Sequence, residues 1–90
     1  MDPLVAVVFG IFSSAPPTSR LVVRYRKDET YPTLQTLLSA IETFGVSPTA
    51  SSTYSDSYSV SFSNSNLPAL ENVLEDLTLQ AHLMSVYVQN

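Results

Sequence analysis

The chain has no cysteine, no tryptophan, two glycines and four basic residues among its 90. Each shortage closes a door. Without cysteine there are no disulfide staples, no thiolate nucleophile and no Cys-based zinc site. With Gly10 and Gly45 as the only glycines, no Gly-rich loop can cradle a phosphate. Charged residues make up 13% of the chain, where about 25% is usual. Uncharged hydroxyls fill the gap, as 14 Ser and 8 Thr. That balance suits an assembled or extracellular protein better than an abundant cytosolic enzyme.

The few charges are unevenly spread. Arg20, Arg24, Arg26 and Lys27 are all of the basic residues, and from Asp28 onward every charged residue is acidic. The formal charge of −4 argues against a general nucleic-acid binder, because phosphate backbones call for a basic footprint. Ninety residues make one domain, residues 1–90, that hides roughly 60–65% of its unfolded surface. That is enough for one core and not for a deep cleft.

Residues 4–12 (LVAVVFGIF) are apolar on both parities. Nine residues are too few to span a bilayer as a helix. The stretch before them carries Asp2 and no Lys or Arg, whereas an export signal starts positive. The segment therefore reads as an extra strand covered on both faces, and a cytoplasmic or virion-associated location is favoured. Residues 13–19 hold Pro16 and Pro17 and read as a loop.

Residues 20–27 (RLVVRYRK) form a half-buried strand. Leu21, Val23 and Tyr25 point one way, and Arg20, Val22, Arg24 and Arg26 the other. Helix spacing follows at Leu34, Leu37, Leu38, Ile41 and Phe44. This predicts a helix over 31–44, capped at Thr30 or Tyr31, with Pro32 in its first turn and Gly45 as the left-handed stop. Residues 49–63 alternate strictly, as one long strand or as a hairpin turning near Ser55–Ser57; Asp and Ser favour the turn. A second helix is expected over 67–80, with Leu70, Val73, Leu74 and Leu77 as its buried stripe and Asn66 as its cap. A last strand is expected over 82–89.

Thr30-Tyr31-Pro32-Thr33-Leu34 and Asn66-Leu67-Pro68-Ala69-Leu70 open the two helices alike. Two strand–helix units of this kind predict an α+β two-layer sandwich. Its sheet is mostly antiparallel, with both helices on one face, in the ferredoxin-like β-α-β-β-α-β order preceded by the extra strand 4–12.

Candidate chemistry is thin. His82 is the only histidine, and no motif frames a serine as a nucleophile beside it. One His and scattered carboxylates offer no metal-ligand spacing. Glu71 and Glu75 belong to the solvated side of their helix, opposite its apolar stripe. No enzymatic activity, cofactor or metal is expected.

Two features remain. Arg20, Arg24 and Arg26 form a stripe on one side of one strand, beside which Ser57, Ser59, Ser61 and Tyr87 can lie. Such a face can dock an acidic protein surface, a phosphate or a single nucleic-acid strand, or it can simply keep a strand soluble. Val5, Val7, Phe9 and Ile11, with their alternates Val8 and Phe12, mark the other surface. Together they point to an interaction or assembly protein, self-associating as a homo-oligomer or serving as a small subunit of a larger complex. Small size and hydroxyl-rich composition suit a virus- or phage-encoded structural protein or host-enzyme inhibitor. The alternatives are a ligand-sensing regulatory module on the ferredoxin-like scaffold and a single-stranded nucleic-acid binder using the Arg stripe. Acidity disfavours the latter, and no membrane partner is expected.

Overall fold

A computed structural model describes residues 18–89. The expected extra strand, residues 4–12, lies outside them. The element order is β1 (Arg20–Arg26), α1 (Leu34–Glu42), β2 (Ala50–Thr53), β3 (Ser57–Ser63), a 3-10 turn (Asn64–Asn66), α2 (Leu67–Glu75), α3 (Leu77–Gln80) and β4 (Leu83–Gln89). The sheet order is β2-β3-β1-β4, and every neighbouring pair is antiparallel. This is the ferredoxin-like arrangement. Each half is split by a strand of the other, so β1 and β3 occupy the centre, and β2 and β4 the edges.

The strand pattern decides which side is dry. Leu21, Val23 and Tyr25 stand opposite Phe62, Val60 and Tyr58, and all six are at most 2% exposed. Leu37 and Ile41 from α1, Leu70, Val73 and Leu74 from α2, and Leu79 from α3 close over them in one core. Both faces of β1 carry apolar residues at its centre, because Val22 on the other side is also buried, at 3%.

α1 begins later than the sequence suggests. Its cap is Thr33, whose Oγ1 accepts from Thr36 N at 3.1 Å. Pro32 therefore precedes the cap and does not sit inside the first turn. Tyr31, expected as a cap, is instead a core residue at 7% exposure. Gly45 has φ +78°, and an added Cβ would meet nothing within 4 Å. Backbone conformation alone thus calls for glycine at this helix end.

Residues 49–63 form a hairpin. Tyr54 N donates to Ser57 O at 2.8 Å, and Thr53 stands opposite Tyr58. The register reverses the alternation. Ala50 and Ser52 face the same side as Ser61 and Ser59, while Ser51 and Thr53 share the side of Val60 and Tyr58. The even positions, continuous in sequence, change sides at the turn.

The expected helix over 67–80 is two helices. Asp76 is extended, with ψ 121°, and its carboxylate accepts from Leu79 N at 3.0 Å to cap α3. The break shifts the helical phase. Leu77, read as a core residue, is 82% exposed, and Leu79 takes its place at 2%. Asn66 precedes α2 without a side-chain cap bond. The two Pro-containing openings are therefore not structurally equivalent, although the fold repeats. In β4 the register shifts between Arg24 and Tyr25, which stand opposite Ser85 and Leu83. Met84 is the extra residue there and is 40% exposed.

Candidate interaction surfaces

The helix-free side of the sheet follows from the register. Arg20 lies between Ser63 and Gln89, Val22 between Ser61 and Tyr87, and Arg24 between Ser59 and Ser85, with Arg26 opposite Ser57. The Arg stripe, the serine row of β3 and Tyr87 thus share one face. Tyr87 is 50% exposed on it. Among the described residues no helix packs against this side of the core.

The three arginines are not equivalent. Arg24 Nε donates to Ser57 Oγ at 2.8 Å, and its Nη2 lies 3.5 Å from Asp56 Oδ1. The guanidinium also stands 4.9 Å from the Tyr54 ring centroid. Ser57 Oγ in turn donates to Asp56 Oδ1 at 3.0 Å. Arg24 therefore buttresses the β2–β3 turn, and its charge is largely answered by Asp56. Arg20 and Arg26 are exposed and form no ion pair among the described residues. They sit at opposite ends of the strand, about 20 Å apart at some 3.3 Å per residue. What looks like a three-residue stripe is two separated charges flanking a neutralised centre.

This arrangement gives a test. Arg24→Glu sets two carboxylates together beside the turn. It should lower stability by about 1 kcal/mol, the scale of an exposed pair with one added hydrogen bond. A denaturant titration with an unchanged midpoint would show that the Arg24–Asp56–Ser57 contacts hold nothing.

A second cluster lies at the same end of β1, on its β4 side, and was not legible as a unit. His82, 6% exposed, places Nδ1 2.6 Å from Asp28 Oδ2. The carboxylate lies off the N–H direction, so the pair is a close polar contact without an aligned hydrogen bond. The Tyr31 ring meets the imidazole edge-on at 4.7 Å. Asp28 is held by Thr30 N, which donates to its other oxygen at 2.8 Å. The His82 carbonyl accepts from Arg26 N at 2.7 Å, tying the end of β1 to the start of β4. Burial raises the Tyr31 phenol above its usual range, and the Asp76 and Asp28 carboxylates add to the rise. His82 thus packs as a corner piece. Among the described residues no three His, Asp or Glu side chains are grouped as metal ligands.

The sheet edges differ. β2 is a four-residue edge of alanine and hydroxyls, ASST, exposed throughout. β4 has seven residues, LMSVYVQ. The whole stretch 77–90 carries no Asp, Glu, Lys or Arg. Val86 and Val88 pack against the core yet stay partly exposed. Natural edges are usually shortened, charged, broken by proline or twisted by a bulge. β4 uses only the last device, at Met84, and leaves Ser85–Gln89 plain. Among the described residues its outer side has no strand partner. Also among them, no helix is long and apolar enough to cross a membrane.

Comparison with protein-family models, with curated proteins and with solved structures finds no match for this chain.

Proposed function

We propose that this chain is a non-enzymatic interaction or assembly protein, acting as a homo-oligomer or as a small subunit of a larger complex. The observation that carries the reading is the β4 edge. It is seven residues long, carries no charge or proline, and leaves Val86 and Val88 incompletely covered. An edge with these properties, unpaired among the described residues, is a template for another strand or another copy. Residues 4–12 support the same reading from the sequence, because neither parity of that run is polar. Their apolar side chains Val5, Val7, Phe9 and Ile11, or Val8 and Phe12, would supply the contact. Arg20 and Arg26 would set orientation at the rim, where charge contributes more to steering than to affinity. Small size and a hydroxyl-rich surface suit a virus- or phage-encoded component of this kind.

The test is mass in solution by light scattering, on the parent and on Val7→Asp and Val8→Asp. Each variant places a carboxylate on one side of the run. An unpaired carboxylate in an interface costs several kcal/mol. The parent should be larger than a monomer, and at least one variant should dissociate or become insoluble. A monomeric parent, or two variants with unchanged mass and stability, would remove the reading's main support.

A further inference from the structure

We infer that copies of this chain stack sheet on helix, the arginines on the helix-free face of one copy pairing with the carboxylates at the α1 and α2 ends of the next. The inference rests on the assembly reading and gives it a partner, a second copy of this chain, on surfaces away from the β4 edge. It begins with where charge can come from. Residues 1–17 carry one charged side chain, Asp2, so every Lys and Arg of the chain is among the described residues. Arg20 and Arg26 are exposed on the helix-free side of β1, about 20 Å apart. Between them, Arg24 is already paired with Asp56. Two cations, one at each end of the face, are left without an ion pair among the described residues.

The helix layer has the opposite sign. Glu42 is the last residue of α1 and Glu75 of α2; both are exposed, and neither helix contains Lys or Arg. Each carboxylate adds negative charge to the negative end of its helix dipole. Glu71, one turn before Glu75 and also exposed, repels it. No ion pair among the described residues relieves them. The topology sets the two helix ends apart. α1 runs back from the Arg26 end of β1 toward β2, whose first residue Ala50 stands opposite Ser61, so Glu42 lies toward the Arg20 end. α2 starts beyond Ser63, opposite Arg20, and leads through α3 to His82, whose carbonyl meets Arg26 N. Glu75 therefore lies toward the Arg26 end. Side by side, helices of nine residues are about 13 Å long with axes about 8–10 Å apart. Their far ends are then about 16 Å apart. That is close to the arginine spacing, and long side chains take up the difference. Glu42 and Glu75 of one copy can thus meet Arg20 and Arg26 of another together. Leu77, exposed just past Glu75, and Tyr87, half-exposed on the sheet side, add apolar contact. The two surfaces lie on opposite sides of the molecule, so the contact is head-to-tail and continues from copy to copy unless it closes into a ring.

Two double variants of the full chain test the pairing: Arg20→Glu with Arg26→Glu, and Glu42→Arg with Glu75→Arg. Light scattering follows mass against protein concentration at low salt and at about 0.5 M salt, where exposed charges are strongly screened. The mass of the parent should rise with concentration and fall in high salt. Each double variant alone should weaken self-association by about tenfold or more, since it sets like charges face to face. An equimolar mixture of the two should regain the association of the parent, because each variant repels itself and attracts the other. Glu29→Arg, in the loop between β1 and α1, changes charge outside both surfaces and should behave as the parent. Circular dichroism and urea titration check that each variant is folded. Arg26→Gln and Glu75→Gln take the place of any reversal that unfolds, and each should weaken association. A parent that stays monomeric at every concentration overturns the inference. So does a folded reversal of unchanged mass, or a mixture no larger than its parts. Silent reversals alongside dissociation by Val7→Asp or Val8→Asp keep the assembly reading and sink the stacking. Recovery in the mixture upholds the stacking. If Val7→Asp and Val8→Asp then both keep the parent's mass, only the contact assigned to residues 4–12 is lost.

Discussion

Leu74→Ala should destabilise the fold by about 2–5 kcal/mol, the range for emptying a well-packed leucine site. Leu74 is 2% exposed and lies in the cluster formed by α1, α2 and the dry face of the sheet. A domain this size has about 5–15 kcal/mol in total, so the variant will be partly unfolded if the parent sits at the low end. Leu77→Ala, three residues on, should move stability by less than about 0.5 kcal/mol, as surface changes do. The contrast is the informative part. One uninterrupted helix over 67–80 would put both leucines in the same stripe, and both substitutions would then be costly. The extended backbone at Asp76 and its bond to Leu79 N separate them. Urea titrations of the two variants decide the point. Equal losses would mean that the helix continues through Asp76, and two small losses would mean that the stripe faces away from the sheet.

The core strands and the helix faces could be read because they rest on short-range periodicity. In β1, Leu21, Val23 and Tyr25 alternate with arginines, and the burial follows that alternation except at Val22. The α1 stripe placed Leu37 and Ile41 correctly because four residues of helix bring them to one side whatever the helix packs against. Gly45 was legible because glycine adopts its left-handed φ without the strain a side chain brings. Failures came where a local device overrode a period. A turn at 54–56 reversed the sides of Ala50 and Ser52, and no parity count detects that. Asp76 is compatible with a helix exterior and with a cap, and the hydrogen bond that makes it a cap is visible only in three dimensions. The interaction surfaces were legible in part. The Arg stripe could be seen, but not the commitment of Arg24 to Asp56 and Ser57, which depends on the β1–β3 register. The meeting of Asp28, Tyr31 and His82 depends on both crossovers and on the end of β1 reaching the α3–β4 corner. Nothing in the spacing of those residues announces it. The charge-free β4 edge could have been found from the sequence by asking which expected strand lacked every edge-protecting device.

Tyr25→Phe should stabilise the protein at neutral pH and remove much of its alkaline sensitivity. Tyr25 is 1% exposed, and its hydroxyl has no hydrogen-bond partner among the described residues. A buried donor left without a partner carries a desolvation penalty of about 1–3 kcal/mol. Removing the oxygen should return part of it, less a small packing loss. The pH dependence has the same origin. Burial raises the Tyr25 phenol well above its ordinary value of 10.0, with Tyr31 nearby adding to the shift. Below pH 10 the phenol is neutral in both states, and its ionisation does not affect stability. Above pH 10 the unfolded chain releases the proton while the folded one keeps it. Stability then falls with rising pH at about 1.4 kcal/mol per unit for this group. Between pH 10 and 12 the loss is about 2–3 kcal/mol. Tyr31 is shifted in the same direction, so the phenylalanine variant should retain a shallower decline. The measurement is a set of urea titrations of parent and variant at neutral pH and at two values above 10. A variant less stable than the parent at neutral pH by more than about 1 kcal/mol would reveal a partner for the hydroxyl. An unchanged alkaline slope would place the titrating group elsewhere.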